Sequence, residues 1–278
     1  MPEKIASLEK RLRDIASRGD VPQPFQGKLA VAFSGGLDSR FLVHMGLRVG
    51  LSVVALHVNG PHIPSMEHRY AVAWAQKNKV SLQVVHLDPL TDSRLENNPI
   101  DRCYHCKTMV FSTLCKVAAP LPLCDGTNAT DLGEYRPGLR ALAELRVISP
   151  LAECGITKED IRCFSATTGL ATPNQAAQPC LLTRFDYGFS LNAATLAVVD
   201  KAENAVRTVL RRFGKDETPF RVRYETPTMP ALHMTQPPLD ENICAALCET
   251  LADAGLPEAS IRVLPSLSGY FDRKKNTV

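Results

Sequence analysis

The sequence predicts an α/β protein, a parallel sheet wound with helices, followed by a smaller C-terminal α+β domain. Three observations lead there. Short apolar runs alternate with helical stretches through the first part of the chain. A glycine turn, Ser34-Gly35-Gly36, joins the first of those runs to the helix behind it. Near Thr172 the texture changes, and Pro, Gln, Cys and Arg dominate up to Gly188. On this reading residues 1–172 form the first domain and residues 173–278 the second.

The elements follow in order. Between Met1 and Asp20, Ile5, Leu8, Leu12 and Ile15 recur at helical spacing among charges of both signs, which is not the pattern of a signal peptide. Gly19, Pro22 and Pro24 then mark a linker. Lys28–Phe33 reads as a buried strand, Ser39–Val49 as a helix and Ser52–Val58 as a second strand. Glu67–Lys79 is a helix with Ala71, Trp74 and Ala75 on one face, and Leu82–Leu87 is a third strand. Asp88–Cys106 shows little periodicity. Met109–Val117 is helical, and Leu121–Cys124 is a short strand that ends at Asp125-Gly126-Thr127-Asn128. Arg146–Ser149 is a candidate strand, and Thr157 is placed to cap a helix running to Thr168. Ala193–Arg212 forms a long amphipathic helix. Beyond it, strands in Phe220–Leu232 and Ile261–Leu264 flank a helix over Asn242–Ala254.

Bulk properties narrow the functional classes. With 45% hydrophobic and 22% charged residues the composition is that of a globular protein. A net charge of +3 gives no nucleic-acid footprint by itself. No apolar run approaches the ~18 residues a membrane helix needs. The expectation is a cytoplasmic chain without nucleic-acid or membrane partners. Nine cysteines, an odd number, argue against a disulfide framework and towards metal binding or sulfur chemistry.

The sharpest motif is Ser34-Gly35-Gly36-Leu37-Asp38-Ser39. Two glycines at a strand end let the backbone turn tightly and bring N–H groups to an anion, and the following helix adds its positive N-terminal dipole. Ser34 and Ser39 can donate to phosphate oxygens, and Asp38 can hold Mg²⁺ against them. No lysine stands where a GxxxxGK[ST] loop needs one, so that loop class is excluded. The bland alternative is a strand–helix turn that merely requires glycine. The motif resembles the phosphate loop of the PP-loop ATP pyrophosphatases, which cleave ATP between its α and β phosphates and adenylate an oxygen. The resemblance implies pyrophosphate on Ser34, Gly35, Gly36, Asp38 and Ser39, and adenine near His57 and Val58. Ser149-Pro150-Leu151 with Lys158 also resembles a stretch common in these enzymes. Arg40 stands where a small or hydroxylated residue is common, and is read either as a further phosphate contact or as pointing to solvent.

The second motif is cysteine-based. Cys103-Tyr104-His105-Cys106 is a CxxC, and Cys180 lies far downstream with Arg184 close behind it. Thiolates suit zinc or iron–sulfur clusters. The rivals are a redox dithiol, whose usual strand context is missing here, and simple buried cysteines. Cys115, Cys124, Cys154, Cys163, Cys244 and Cys248 fall on apolar stretches and are assigned to the core.

Four motifs in order, RCYHCK at Arg102–Lys107, DGTNATD at Asp125–Asp131, EYRPGLRA at Glu134–Ala141 and PCLLTRFDYG at Pro179–Gly188, resemble the LarE family of ATP-dependent sacrificial sulfur transferases. The resemblance covers about Lys28 to Arg223. It implies adenylation of the carboxylates of pyridinium-3,5-biscarboxylic acid mononucleotide and their conversion to thiocarboxylates, on the way to a nickel-pincer nucleotide cofactor. The first domain would then be the ATP pyrophosphatase domain and the second the sulfur-transfer and substrate-binding domain. In one variant of that family a cysteine matching Cys180 gives up its own sulfur. In the other it joins a CxxC to hold a 4Fe–4S cluster, and the presence of Cys103, Cys106 and Cys180 resembles that second variant. Arg184, Arg221 and Arg223 would bind substrate phosphate, Glu203 matches a carboxylate near the cysteine, and a homo-oligomer, a hexamer, is expected. Arg221 and Arg223 alternate along a predicted strand, which puts both guanidinium groups on one face, although charged residues on a solvated face would alternate in the same way. Two other functions remain open at this point. A PP-loop tRNA thiolase would need a Lys- and Arg-rich stretch, and a nucleotide-binding regulator would keep the loop without catalysis.

Overall fold

The computed structural model describes residues 2–133, 137–171, 178–237 and 240–275. The chain divides into two compact units: Met1–Gly60, Ser65–Pro89 and Asp101–Gln178 form the first, and Pro61–Pro64, Leu90–Ile100 and Pro179–Val278 the second. The boundary expected at Thr172–Pro173 lies outside the described residues.

The first unit is built on four parallel strands, β1 (Lys28–Ala32), β2 (Ser52–Asn59), β3 (Ser81–His86) and β4 (Leu123–Cys124), in the order β3-β2-β1-β4. Lys28 pairs with Ser52 on one side of β1, and Val31 pairs with Cys124 on the other. Apolar side chains alternate across β1, so both faces must be covered. Leu29 and Val31 pack with α1 (Pro2–Ala16), α2 (Leu37–Arg48), α3 (Ser65–Lys77) and, further on, α7 (Lys158–Thr168), through Leu12, Phe41, Trp74 and Phe164. Ala30 on the opposite face packs with α4 (Arg102–Ala118) and α5 (Pro137–Glu144), through Phe111, Leu114 and Leu142. The short α6 (Pro150–Glu153) lies between α5 and α7 in sequence.

This order has a consequence for ligands. The chain runs outward from β1 through β2 to β3, then returns to the other side of β1 by way of α4. The loops after β1 and β4 therefore diverge at a topological switch point, where open α/β sheets leave a crevice.

In the second unit β5 (Phe220–Thr226) and β6 (Met229–Met234) form an antiparallel hairpin, and β7 (Ser260–Val263) pairs parallel to β6. Two helices, α8 (Ala193–Arg212) and α9 (Glu241–Asp253), accompany this sheet, and α10 (Tyr270–Lys275) follows it. Asn192 caps α8 by accepting from Thr195 N–H, and the buried stripe Leu196, Val199, Val206, Leu210 carries Glu203 in with it.

The α/β expectation holds, and several local readings need correction. Residues 102–106, read as aperiodic, are the first turns of α4, because the apolar stripe that marks this helix in the sequence begins only at its buried core residues. Arg146–Ser149 is no strand. Ile148 makes a single bridge to Cys124, at the sheet edge where β4 is itself two residues long. Cys248 is exposed rather than in the core, since it faces away from the Ile243, Leu247, Leu251 stripe of α9. Among the described residues no helix is long and apolar enough to cross a membrane.

Candidate functional site

At the switch point the turn between β1 and α2 is tightly specified. Gly35 has φ +83°, and a Cβ there would fall 2.8 Å from Ala71 Cβ. Both facts require glycine. Ser34 Oγ accepts from Gly36 N–H at 3.2 Å and lies 3.2 Å from Ser39 Oγ, which donates to Gly36 O at 3.0 Å. Asp38 stands in the first turn of α2, where a carboxylate meets the positive end of the helix.

The loop after β4 closes on this turn. A Cβ on Gly126 would lie 3.0 Å from Ser39 N, so the two backbones touch and only glycine fits between them. Asn128 Nδ2 donates to Asp38 Oδ2 at 3.4 Å, and Lys158 Nζ stands 3.8 Å from the same oxygen. Beneath, buried Asp125 accepts from Ser149 Oγ at 2.6 Å and from Thr127 Oγ1. Burial pushes its carboxyl upward, while those two hydroxyls and Lys107 pull it back. Thr157 caps α7 through a reciprocal box with Asp160, and so fixes the helix start from which Lys158 reaches.

His57 lies under the loop. Its Nδ1–H donates to the Phe33 carbonyl at 2.9 Å, which can only accept, and its Nε2 lies 3.0 Å from His68 Nδ1. Burial lowers its pKa and keeps the ring neutral. Both nitrogens are thereby engaged in bracing the loop. Val58 is half-buried and packs against the core on the α4 face. Arg40 does not point to solvent. It is fully buried, donates to Ala171 O at 2.9 Å and lies over the Tyr70 ring.

Cys103 and Cys106 occupy the first turns of α4, three residues apart and so on one face, and both are half-buried. As donors, two thiols at that spacing suit neighbouring positions on one soft metal centre. None of the nine cysteines forms a disulfide. Among the described residues no group of three or more His, Cys, Asp or Glu side chains is gathered as ligands. Cys180, the third expected ligand, belongs to the second unit, where it precedes the 3₁₀ turn Leu181–Arg184 and its carbonyl accepts from Thr183 N–H and Oγ1.

The expected arginines gather in that second unit. Arg184 is fully buried and makes a two-pronged pair with Glu203, Nε to Oε1 at 2.6 Å and Nη2 to Oε2 at 3.1 Å. Glu203 Oε1 also accepts from Val222 N–H at 3.0 Å. Burial alone would raise the Glu203 carboxyl, but Arg184, with Arg221 and that N–H, holds it below its usual value. Arg221 donates to Phe220 O at 2.6 Å. Burial, together with Arg184 and Arg221 nearby, pushes the Arg223 guanidinium down to about 10.

Sequence reasoning passed over four residues that shape these places. Gly126 and Asn128 lie within a quoted motif, but their contact with the first turn of α2 is a tertiary fact. Asn98, at φ +43°, donates to Phe185 O at 2.9 Å and Asp186 O at 3.0 Å, which ties down the segment behind Cys180. Its signal was the Asn97-Asn98-Pro99 turn composition. His233 lies wholly buried on β6 and had no sequence signal beyond its apolar neighbours.

Comparison with known proteins yields three relatives. An uncharacterized protein of Synechocystis sp. is 36% identical over 199 residues, covering 70% of this chain and 72% of its own. The pyridinium-3,5-bisthiocarboxylic acid mononucleotide synthase of Lactiplantibacillus plantarum is 34% identical over 199 residues, 68% of this chain and 72% of the relative. An uncharacterized protein of Methanocaldococcus jannaschii is 30% identical over 201 residues, 71% of this chain and 77% of the relative. No family model matches the chain.

Proposed function

Because the chain belongs to the family of the Lactiplantibacillus plantarum pyridinium-3,5-bisthiocarboxylic acid mononucleotide synthase, we propose that it is an ATP-dependent sulfur transferase acting on a pyridinium dicarboxylate mononucleotide. The observation that carries this reading is the turn after β1. There the SGGLDS backbone meets Gly126, and Asp38 is shared by Asn128 and Lys158. A helix N-terminus, two hydroxyls and a carboxylate beside an ammonium form a place for a polyphosphate and its Mg²⁺.

In this reading the first unit activates and the second delivers. A substrate carboxylate oxygen attacks the α-phosphorus of ATP, and pyrophosphate leaves from the loop. Ser34, Ser39 and the Gly35–Gly36 backbone hold the departing charge, and Asp38 would hold a Mg²⁺ ion whose charge would offset that of the pyrophosphate. The acyl-adenylate then exchanges AMP for sulfur. Arg184, kept in one orientation by Glu203, with Arg221 and Arg223, holds the nucleotide phosphate. Cys103, Cys106 and Cys180 would hold a 4Fe–4S cluster. When bound, it supplies a transferable sulfide at the iron that lacks a protein thiolate. A hexameric assembly belongs to the same proposal.

The test is anaerobic incubation of the reconstituted protein with ATP, Mg²⁺ and pyridinium-3,5-biscarboxylic acid mononucleotide. The expected result is AMP and pyrophosphate released together with a substrate whose mass has gained sulfur for oxygen. Pyrophosphate release that does not depend on the dicarboxylate nucleotide would sink the substrate assignment. Retention of tRNA with steep salt dependence would point to a tRNA thiolase instead.

A further inference from the structure

In the second unit a buried polar chain stands behind Arg223, and its other members have no part in the proposed function. Arg223 on β5 donates from Nη1 to His233 Nδ1 on β6 at 2.9 Å. His233 Nε2 lies 3.1 Å from Glu225 Oε1, also on β5. Tyr270 on α10 donates its hydroxyl to that oxygen, and Arg262 on β7 pairs with Oε2 at 2.7 Å. Arg223 Nη2 donates to Leu267 O at 2.5 Å, and its guanidinium carbon lies 5.1 Å from the Tyr270 ring centroid.

Donor and acceptor chemistry fixes the direction of this chain. A guanidinium has no acceptor, so His233 Nδ1 must accept and its proton sits on Nε2, facing the Glu225 carboxylate. Carboxylate, imidazole and guanidinium are thus linked in one sense. The pairing places His233 opposite Arg221 and diagonal to Arg223, two residues along the strand and on the same face, so the hairpin register itself delivers the contact. One guanidinium donor has no partner among the described residues. Arg223 is only 4% exposed, yet its buried Nε–H meets no acceptor. Leaving a buried charged donor unmet is unfavourable, and such a group in a folded protein calls for an explanation.

We infer that Glu225 and His233 are positioning residues which, with Tyr270, lock the Arg223 guanidinium in one orientation for an oxyanion of the substrate. This rests on the assignment of Arg223 to the substrate phosphate. The hydrogen bonds to Nη1 and Nη2 prevent the fork from turning, and the aromatic rings hold its plane. Arg184 is held by a different set of partners, Nε and Nη2 by Glu203 and Nη1 by Thr183.

Two substitutions at His233 separate position from packing. Asparagine can place its carbonyl oxygen where Nδ1 accepts. Glutamine reaches the Nε2 position but leaves Arg223 without its acceptor. The expected result for His233→Gln is a rise in substrate KM of about tenfold, the size of a lost hydrogen bond to a charged group. The KM for ATP should stay unchanged, and His233→Asn should recover most of the loss. Calorimetric titration with inorganic phosphate gives the same comparison without turnover, and there too His233→Gln should bind more weakly than His233→Asn. Equal phosphate affinity in both variants and the unaltered protein would overturn the inference. So would loss of ATP and substrate kinetics together, which marks a packing role. If the unaltered protein binds phosphate through this network but turns over no dicarboxylate nucleotide, the proposed function fails and the positioning stands.

Discussion

Asp38 and Gly35 are neighbours in the loop, yet a substitution at each should fail in a different way. The Asp38 carboxylate is held at Oδ2 by Asn128 and Lys158, and it is not a member of the apolar core. Asp38→Ala should leave stability nearly unchanged and lower pyrophosphate release by at least about 100-fold, as loss of a charge-organising group does. Steady-state pyrophosphate release beside a urea melt checks both halves. Gly35→Ala should do the reverse. The added methyl meets Ala71 Cβ, and φ +83° is strained for any residue with a Cβ. The expected cost is about 1–3 kcal/mol in a urea melt. A Gly35→Ala protein as stable as the parent would mean that α3 can recede from the turn.

At the scale of elements, α4 carries a prediction of its own. Its first turns place Cys103 and Cys106, two of the three proposed cluster thiolates, on one face. Cys103→Ala should abolish the brown iron–sulfur absorbance after anaerobic reconstitution and leave helix content intact by circular dichroism. A colourless unaltered protein would end the cluster reading. The long helices were legible because their buried residues recur at helical spacing, as Leu196, Val199, Val206 and Leu210 do on α8, and β1 because its buried residues form one short apolar run. The start of α4 was not legible, because residues 102–106 are polar or thiol-bearing and their helical state comes from packing against α5. Tyr104 shows this: its hydroxyl donates to Glu144 at 2.7 Å and Arg140 lies over its ring. The site divides along the same line. The SGGLDS turn and the arginines could be read from residue type and spacing. Gly126, Asn98 and His233 matter through partners that are distant in sequence, and no local pattern encodes those partners.

Across the whole molecule, buried ionisable groups set how stability responds to acid. His44, His57 and His233 all have pKa values lowered by burial, and His233 is pushed down to about 4 by burial and by Arg223 beside it. In the unfolded chain each returns to about 6.5. Between those values the unfolded state binds more protons than the folded one, so folding stability rises with pH and is lost as the medium is acidified. Glu203 acts in the same direction at lower pH, since its folded pKa is depressed and its stabilisation disappears once it is protonated. Asp125 opposes them: its raised folded pKa means that acid favours the folded form there. Three histidines against one aspartate give a net loss of stability from about pH 6.5 downward. Each histidine contributes a slope of at most about 1.4 kcal/mol per pH unit. Urea melts at a series of pH values should therefore show a shallower slope for His233→Asn than for the parent, by about the share of one proton, between pH ~6.5 and pH ~4. Trp74, the one tryptophan of the chain, reports by fluorescence on the first unit, while circular dichroism reports on both. The flattening belongs to the second unit and should appear in the dichroism. An unchanged slope there would mean that His233 takes up its proton in the folded state, and that the Arg223–His233 hydrogen bond is not kept in solution.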